Sequence, residues 1–274
     1  MPESPEMQAL ADQLGARFSG RVLEDADVLE FRAVKTRAAP PSTLVGSAVT
    51  GVGRHGKHLE IVFGGRRLVV SLGRHGWARL LAPGEAAPPD GPPALAVLSF
   101  DDGSTVALTD AGGWVSLGLW VVSAATEVPA IAKLGPDPLD ASFDRSDFDR
   151  AFGGRRKQVK AILQEQESIA GIGNAYSDEI LHTAKVSPVV HASALSPDQR
   201  DRLYAATVDV MRTAAAARAG VPADRLKQAK VDAMQVHGRA GEACPVCGGV
   251  VREFAFGGTT AEYCPTCQTD GALL

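Results

Sequence analysis

All four cysteines of this 274-residue chain fall in its last 31 residues, at Cys244, Cys247, Cys264 and Cys267. Two C-x2-C turns separated by sixteen residues present four sulfurs to one tetrahedral ion, with a hairpin in the stretch between them. A pair of disulfides would need an oxidising compartment, and MPESPEMQ at the start has no signal-peptide character. Two redox C-x2-C motifs would each want a βαβ setting, and neither has one. The spacing therefore predicts one Zn2+. Its role is structural, because four thiolate ligands leave no open position for water.

The rest of the chain reads as ordinary globular protein, 45% hydrophobic and 22% charged. No apolar run approaches the ~20 residues of a membrane span, so a soluble cytoplasmic monomer is expected, with no membrane partner. A formal net charge of −4 argues mildly against a nucleic-acid partner. A local basic groove would matter more than the total.

Ser4 reads as an N-cap with Pro5 at the first helical position, and Met7, Leu10, Ala11 and Leu14 form one apolar face. From about 21 to 124 short β-rich runs take over. HLEIVF (58–63) and RLVVSL (67–72) flank a Gly64-Gly65 turn, LAVLSF (95–100) and STVALT (104–109) flank Asp101-Asp102-Gly103, and WVSLGLWVV (114–122) follows Gly112-Gly113. Residues 82–94 read as a Pro/Ala surface loop. Helical runs are expected at about 144–152, 156–167, 174–185 and 197–218, the last capped by Ser196 and stopped by Gly220. The fold class is thus α+β and multidomain: an antiparallel β-sandwich or barrel over 1–124, a linker at 125–141, a helical domain over 142–235, and the zinc module over 236–274.

Two motifs carry chemistry. Removal of Met1 would leave Pro2 as a secondary α-amine, with a reference pKa near ~8, beside the carboxylate of Glu3. A secondary amine attacks an aldehyde-level carbon to give an iminium, an electron sink for elimination, and the acid moves protons. Alone this pair means little. AGIGNAYSDEIL (170–181) forms a turn on Gly171 and Gly173 with Asn174 opening the next helix, a geometry suited to a phosphate. Arg155, Arg156, Lys157 and Lys160 form a basic cluster just upstream. A tight helix connection with a solvated charged face explains the same residues.

Taken together, MPESPE, GRHGKHLEIVF, LGPDPL, AGIGNAYSDEIL and VHGRAGEACPVC…YCPTC occur in an order that resembles the formamidopyrimidine-DNA glycosylase and endonuclease VIII family of base-excision repair enzymes. The resemblance covers nearly the whole chain. It implies an N-terminal catalytic β-sandwich, a helix–two-turn–helix DNA-binding domain and a C-terminal zinc finger, with damaged DNA, double- or single-stranded, held in a cleft between lobes. It implies base excision followed by lyase cleavage of the strand. By position, Pro2 matches the family's nucleophile, Glu3 its general acid/base, Lys57 the hairpin lysine that contacts phosphate, and Asn174 the asparagine that holds the backbone of the flipped nucleotide. Arg156, Lys157 and Lys160 are further candidate DNA contacts. Glu179 falls where the family has a supporting acid, and a partly buried structural carboxylate is the alternative.

Three departures bear on DNA binding. Thr259 stands where the family's zinc hairpin usually has an arginine. SLGRHG places Arg74 where the family has a methionine, and Asp110-Ala111-Gly112-Gly113-Trp114-Val115 replaces Asp-Pro-Arg-Arg-Phe-Gly. Trp114 is a candidate wedge, or else a strand residue of the sandwich core. The stretch 221–236 lacks the long Gly-rich segment of the 8-oxoguanine enzymes, which points to the endonuclease VIII branch. The leading expectation is a bifunctional glycosylase/AP lyase. The alternatives are a damage-recognition protein of the same fold with lost or narrowed catalysis, and a zinc-ribbon interaction module on an inert sandwich.

Overall fold

The alternating apolar runs of the first half become eight strands, among the described residues, behind one helix. The structure is a computed structural model and describes residues 1–88 and 90–274; Pro89, inside the 82–94 loop, lies outside the described residues. Helix α1 (Ser4–Phe18) is followed by β1 (Leu23–Val28), β2 (Gly51–His55), β3 (His58–Phe63), β4 (Arg66–Ser71), β5 (Gly76–Leu81), β6 (Ala94–Phe100), β7 (Thr105–Asp110) and β8 (Gly118–Val122). Two four-stranded sheets result, in the orders β1-β6-β7-β5 and β2-β3-β4-β8, and every strand pair is antiparallel. Burial alternates along β3, so Leu59, Ile61 and Phe63 face inward. Met7, Leu10, Leu14 and Phe18 of α1 join them in the same apolar core, where Phe18 stacks on Phe100 at 4.2 Å.

The helical half holds α2 (Pro129–Ala132), α3 (Arg145–Phe152), α4 (Val159–Leu163), α5 (Asn174–Ala184), α6 (Pro197–Arg218) and α7 (Leu226–Ala233). The cap expected at Ser196 forms: its hydroxyl accepts the Gln199 N–H, and the Gln199 side chain accepts the Ser196 N–H. The expected run at 156–167 shortens to α4, because residues 164–171 turn back on themselves through Glu165 and Gln166. Residues 221–235, expected only to connect, include α7. The chain closes with the hairpin β9 (Arg252–Phe256) and β10 (Thr259–Tyr263), then α8 (Pro265–Gln268). Gly257 and Gly258 both take positive φ, as a two-residue hairpin turn of this hand requires.

The chain divides into two compact units. One is Met1–Pro2, Glu6–Lys133 and Arg218–Lys227; the other is Glu3–Pro5, Leu134–Ala217 and Gln228–Leu274. The second has its own apolar core around Phe148, Phe152, Ile162, Tyr176, Ile180, Leu203 and Met211. A smaller cluster of Val236, Cys244, Val251 and Cys264 lies at its zinc hairpin. Among the described residues no helix is long and apolar enough to cross a membrane.

Candidate active site and metal centre

In the second unit, residues far apart in sequence are hydrogen-bonded into a mount for Glu3. Ser4 donates its N–H to the Gly171 carbonyl at 3.0 Å and its hydroxyl to Asp137 at 3.0 Å. Ala170 N–H reaches the Pro136 carbonyl, so LGPDPL and the glycine turn are one assembly. Gln166 fastens that turn from below, accepting the Gly171 N–H and donating to the Ile172 carbonyl. Gly171 has φ +87°, and a Cβ there would lie 1.8 Å from the Ser4 hydroxyl. No other residue fits.

The mount brings the buried Glu3 carboxylate to the first turn of α5, where it accepts the N–H groups of Gly173 and Ala175. Lys230 of α7 donates to the same carboxylate at 2.9 Å, and its ammonium sits 4.7 Å from the Tyr176 ring centroid. The glycine turn alone suggests a phosphate for this helix N-terminus. The chain's own carboxylate takes two of its donors instead, which serves the same electrostatics. Nothing in the sequence flags Lys230, which lies 227 residues from Glu3.

Asn174, the first residue of α5, donates its amide to the Thr260 carbonyl at 2.9 Å and accepts from Gln164 at 2.9 Å. Thr259 places its hydroxyl 3.4 Å from the Asn174 amide oxygen. The position that lacks the family's arginine thus touches the two-turn asparagine directly. Glu179 is a structural carboxylate here. It accepts the N–H groups of Gln235, Val236 and His237 at 2.9–3.0 Å, and burial pushes its carboxyl up despite them.

The basic cluster divides. Lys160 is fully buried, with its ammonium 2.5 Å from Asp178 and 2.9 Å from the Ser177 hydroxyl. That corrects its assignment as a DNA contact: the ion pair that makes its burial tolerable also turns it away from solvent. Burial pulls its pKa down, against the attraction of Asp178. Arg155 and Lys157 share Glu165, at 2.7 and 2.6 Å. Burial opposes the Glu165 charge, but hydrogen bonds from Lys157, Ser168 and Arg155 hold that carboxyl down to about 2. Arg156 is exposed and meets no acidic group among the described residues.

Asp178 is the hub of a second charge network. It also accepts from His237 at 2.8 Å, and His237 lies 3.0 Å from Glu262 of β10. Burial disfavours the imidazolium, yet the bonds to Asp178 and Glu262 prevail and hold His237 up to about 9.

In the first unit, Lys57 occupies the second position of a two-residue turn between β2 and β3, with positive φ at Gly56. Pro2 is buried. The Arg74 N–H donates to the Ser116 hydroxyl at 3.1 Å, which ties its loop to the one that carries Trp114. Trp114 is 89% exposed and belongs to no strand, because β8 begins only at Gly118. The core alternative for this residue is excluded. Asp110 explains the departure from the strand: its carboxylate accepts the N–H groups of Gly112, Ser116 and Leu117 and the Ser116 hydroxyl. Burial opposes its charge, and these four donors hold the carboxyl below the usual range. The loop carrying the indole is therefore pinned at both ends.

The four cysteines close into one cluster with all Sγ atoms within 4.8 Å of one another. A ZnS4 tetrahedron with bonds of about 2.3 Å has S···S edges of about 3.8 Å. Cys244–Cys267 at 3.9 Å and Cys247–Cys264 at 3.4 Å match that geometry, and no disulfide is formed. The residues fit one structural zinc. His182 of α5 lies 3.3 Å from the Cys244 sulfur and ties the site to that helix.

A helix-led sandwich, a two-turn helical unit and a four-cysteine hairpin, in that order, define a class of protein. Residues 1–114 match the formamidopyrimidine-DNA glycosylase N-terminal domain, 134–224 the formamidopyrimidine-DNA glycosylase H2TH domain, and 241–269 the zinc finger found in FPG and IleRS. The chain belongs to the formamidopyrimidine-DNA glycosylase family. It is 32% identical to the formamidopyrimidine-DNA glycosylase of Heliobacterium modesticaldum, over 98% of this chain and 100% of that one. An uncharacterized formamidopyrimidine-DNA glycosylase-like protein of Mycobacterium tuberculosis is 45% identical over 53% of this chain and 91% of its own length. Among solved structures, MutM in complex with carbocyclic 8-oxo-G DNA superposes with a TM-score of 0.85 at 27% identity, covering 98% of this chain and 100% of that one. The Lactococcus lactis enzyme bound to DNA containing an AP site gives 0.84 at 25% identity, covering 97% and 99%.

Proposed function

We propose that this chain is a bifunctional DNA glycosylase/AP lyase of base-excision repair, acting on damaged bases and abasic sites. The observation that carries the reading is the Glu3 carboxylate, buried and fixed at the start of α5 next to the N-terminal proline. Once Met1 is removed, the Pro2 ammonium passes its proton to Glu3 and becomes a nucleophile. Its nitrogen bonds to C1′ of the damaged nucleotide, the glycosidic bond breaks, and the base leaves with that electron pair. The departing base takes the proton still on the Pro2 nitrogen, and Glu3 hands its own proton to the ring oxygen as the sugar opens, leaving a cationic iminium. Loss of the C2′ proton then expels the 3′ phosphate, and water releases Pro2. Zinc folds the terminal hairpin and takes no part in these steps.

A base inside a duplex is out of reach of this chemistry, so the nucleotide must be extruded. Lys57, Arg156 and Asn174 are proposed phosphate contacts, and the exposed Trp114 is the proposed wedge, with Arg74 on the loop bonded to its own as a second candidate. The solved relatives named above are bound to 8-oxo-G and abasic DNA, which supports damaged DNA as the partner here. The endonuclease VIII assignment rests on segment 221–236, where α7 stands in place of a Gly-rich loop; the named relatives are formamidopyrimidine-DNA glycosylases.

The test is covalent trapping. Protein lacking Met1, mixed with abasic-site DNA and borohydride, should give an adduct that peptide mapping assigns to Pro2. No adduct, or one mapped to a lysine, would sink the mechanism. Tight binding of abasic duplex without nicking would leave the damage-recognition alternative standing, which Thr259 in the arginine position favours.

A further inference from the structure

Resting on the reading of Glu3 as the acid/base, we propose that Lys230 is a positioning residue for the reaction, holding Glu3 ionised and aimed until it takes the proton of Pro2. Three donors converge on the carboxylate: the N–H groups of Gly173 and Ala175, and the Lys230 ammonium at 2.9 Å. The Lys230 side chain keeps 11% of its surface and that of Glu3 only 2%, so little water screens the pair. Tyr176 supplies the other wall. Its ring faces the ammonium at 4.7 Å and favours the charged lysine. Lys160 also feels the Glu3 charge. Its ammonium is committed to Asp178 at 2.5 Å, whereas that of Lys230 touches Glu3 directly.

The consequence is kinetic. An ammonium and a helix N-terminus offset the cost of burying the carboxylate charge, so Glu3 stays ionised, and they make it a ready proton donor once protonated. Glu3 therefore rests in the form that accepts the prolinium proton, and then releases it readily to the ring oxygen. Lys230 lies on α7, which takes up residues 226–233 of segment 221–236. The segment on which the endonuclease VIII reading rests is thus wired to the proposed acid/base.

The experiment compares wild type, Lys230→Met, Lys230→Arg, Glu3→Gln and the double variant Glu3→Gln/Lys230→Met, all lacking Met1. Single-turnover excision of a damaged base is followed from pH 5 to 9. Lys230→Met should slow excision by about tenfold or more at neutral pH, equivalent to about 1.4 kcal/mol, and move the acidic limb of its profile to higher pH. Lys230→Arg should restore most of both, and Lys230→Met should add nothing in the Glu3→Gln background. An unmoved acidic limb, or losses that multiply in the double variant, would overturn the proposal. Thermal unfolding of the same variants reads the pair without turnover: additive shifts in Tm would show that the two side chains are not coupled and would refute it too. Wild type that excises normally while Lys230→Met does the same isolates failure of this inference; an inert wild type overturns it together with the function it rests on.

Discussion

Replacing His237 by glutamine should remove a pH-dependent part of the stability of the second unit. The imidazole is held at about 9 against an ordinary 6.5. Each pH unit of displacement is worth about 1.4 kcal/mol, so the full effect comes to about 3–4 kcal/mol. Its side chain keeps 29% of its surface in solvent, and screening reduces this to about 2 kcal/mol. Because the folded-state value is raised, this stability is present in full below pH ~6.5, declines as pH rises, and is gone above pH ~9. Urea unfolding of wild type and His237→Gln, both zinc-loaded, at pH 6 and 9.5 checks it. Zinc affinity changes with pH in both proteins, so the difference between them isolates the histidine. The readout must report the right unit. All three tyrosines (176, 204, 263) lie in the second unit and all three tryptophans (77, 114, 120) in the first, so tyrosine and tryptophan emission follow the two separately. The variant should lose about 2 kcal/mol at pH 6 and little at pH 9.5. An equal loss at both would refute the reasoning.

Cys264→Ala should leave three ligands, abolish stoichiometric zinc and unfold the terminal hairpin, as metal analysis and hydrogen exchange over 240–270 would record; one zinc per chain with full DNA affinity would contradict the site. Trp114→Ala should leave Tm unchanged, since the indole is exposed, and weaken binding to abasic duplex by about 1–3 kcal/mol in titrations; unaltered affinity would remove the wedge. With Gly112 and Gly113 in place of side chains that donate to the widowed base, cleavage opposite the four bases should differ by less than the one to two powers of ten that about 1–3 kcal/mol of such contacts supplies, and single strands should be relatively good substrates. A strong cytosine preference would reassign that task to Arg74.

The sandwich was legible because period-two burial and turn glycines leave a local trace: HLEIVF occupies the strand its alternation implies. The zinc site was legible for the same reason, as its ligands come in two short motifs. Trp114 was not. WVSLGLWVV reads as one apolar run, and only the Asp110 carboxylate, gathering donors from residues 112–117, shows why its first part leaves the sheet. Lys160 looked like a surface charge because sequence spacing does not reveal that Asp178 faces it. Lys230 carried no signal at all: its partner is at the other end of the chain, and one lysine on a short helix resembles any other.

The anchoring of the N-terminal segment has a practical consequence. Its hydrogen bonds to the Gly171–Gly173 turn are made by Glu3 and Ser4, one and two residues inside Pro2, the proposed nucleophile. Folding therefore does not wait for maturation: protein that retains Met1, or carries an affinity tag ahead of Pro2, should be soluble, zinc-loaded and well folded while its nitrogen is locked in an amide. On the proposed mechanism, a preparation judged by its melting curve alone would pass as sound and yet turn over no substrate.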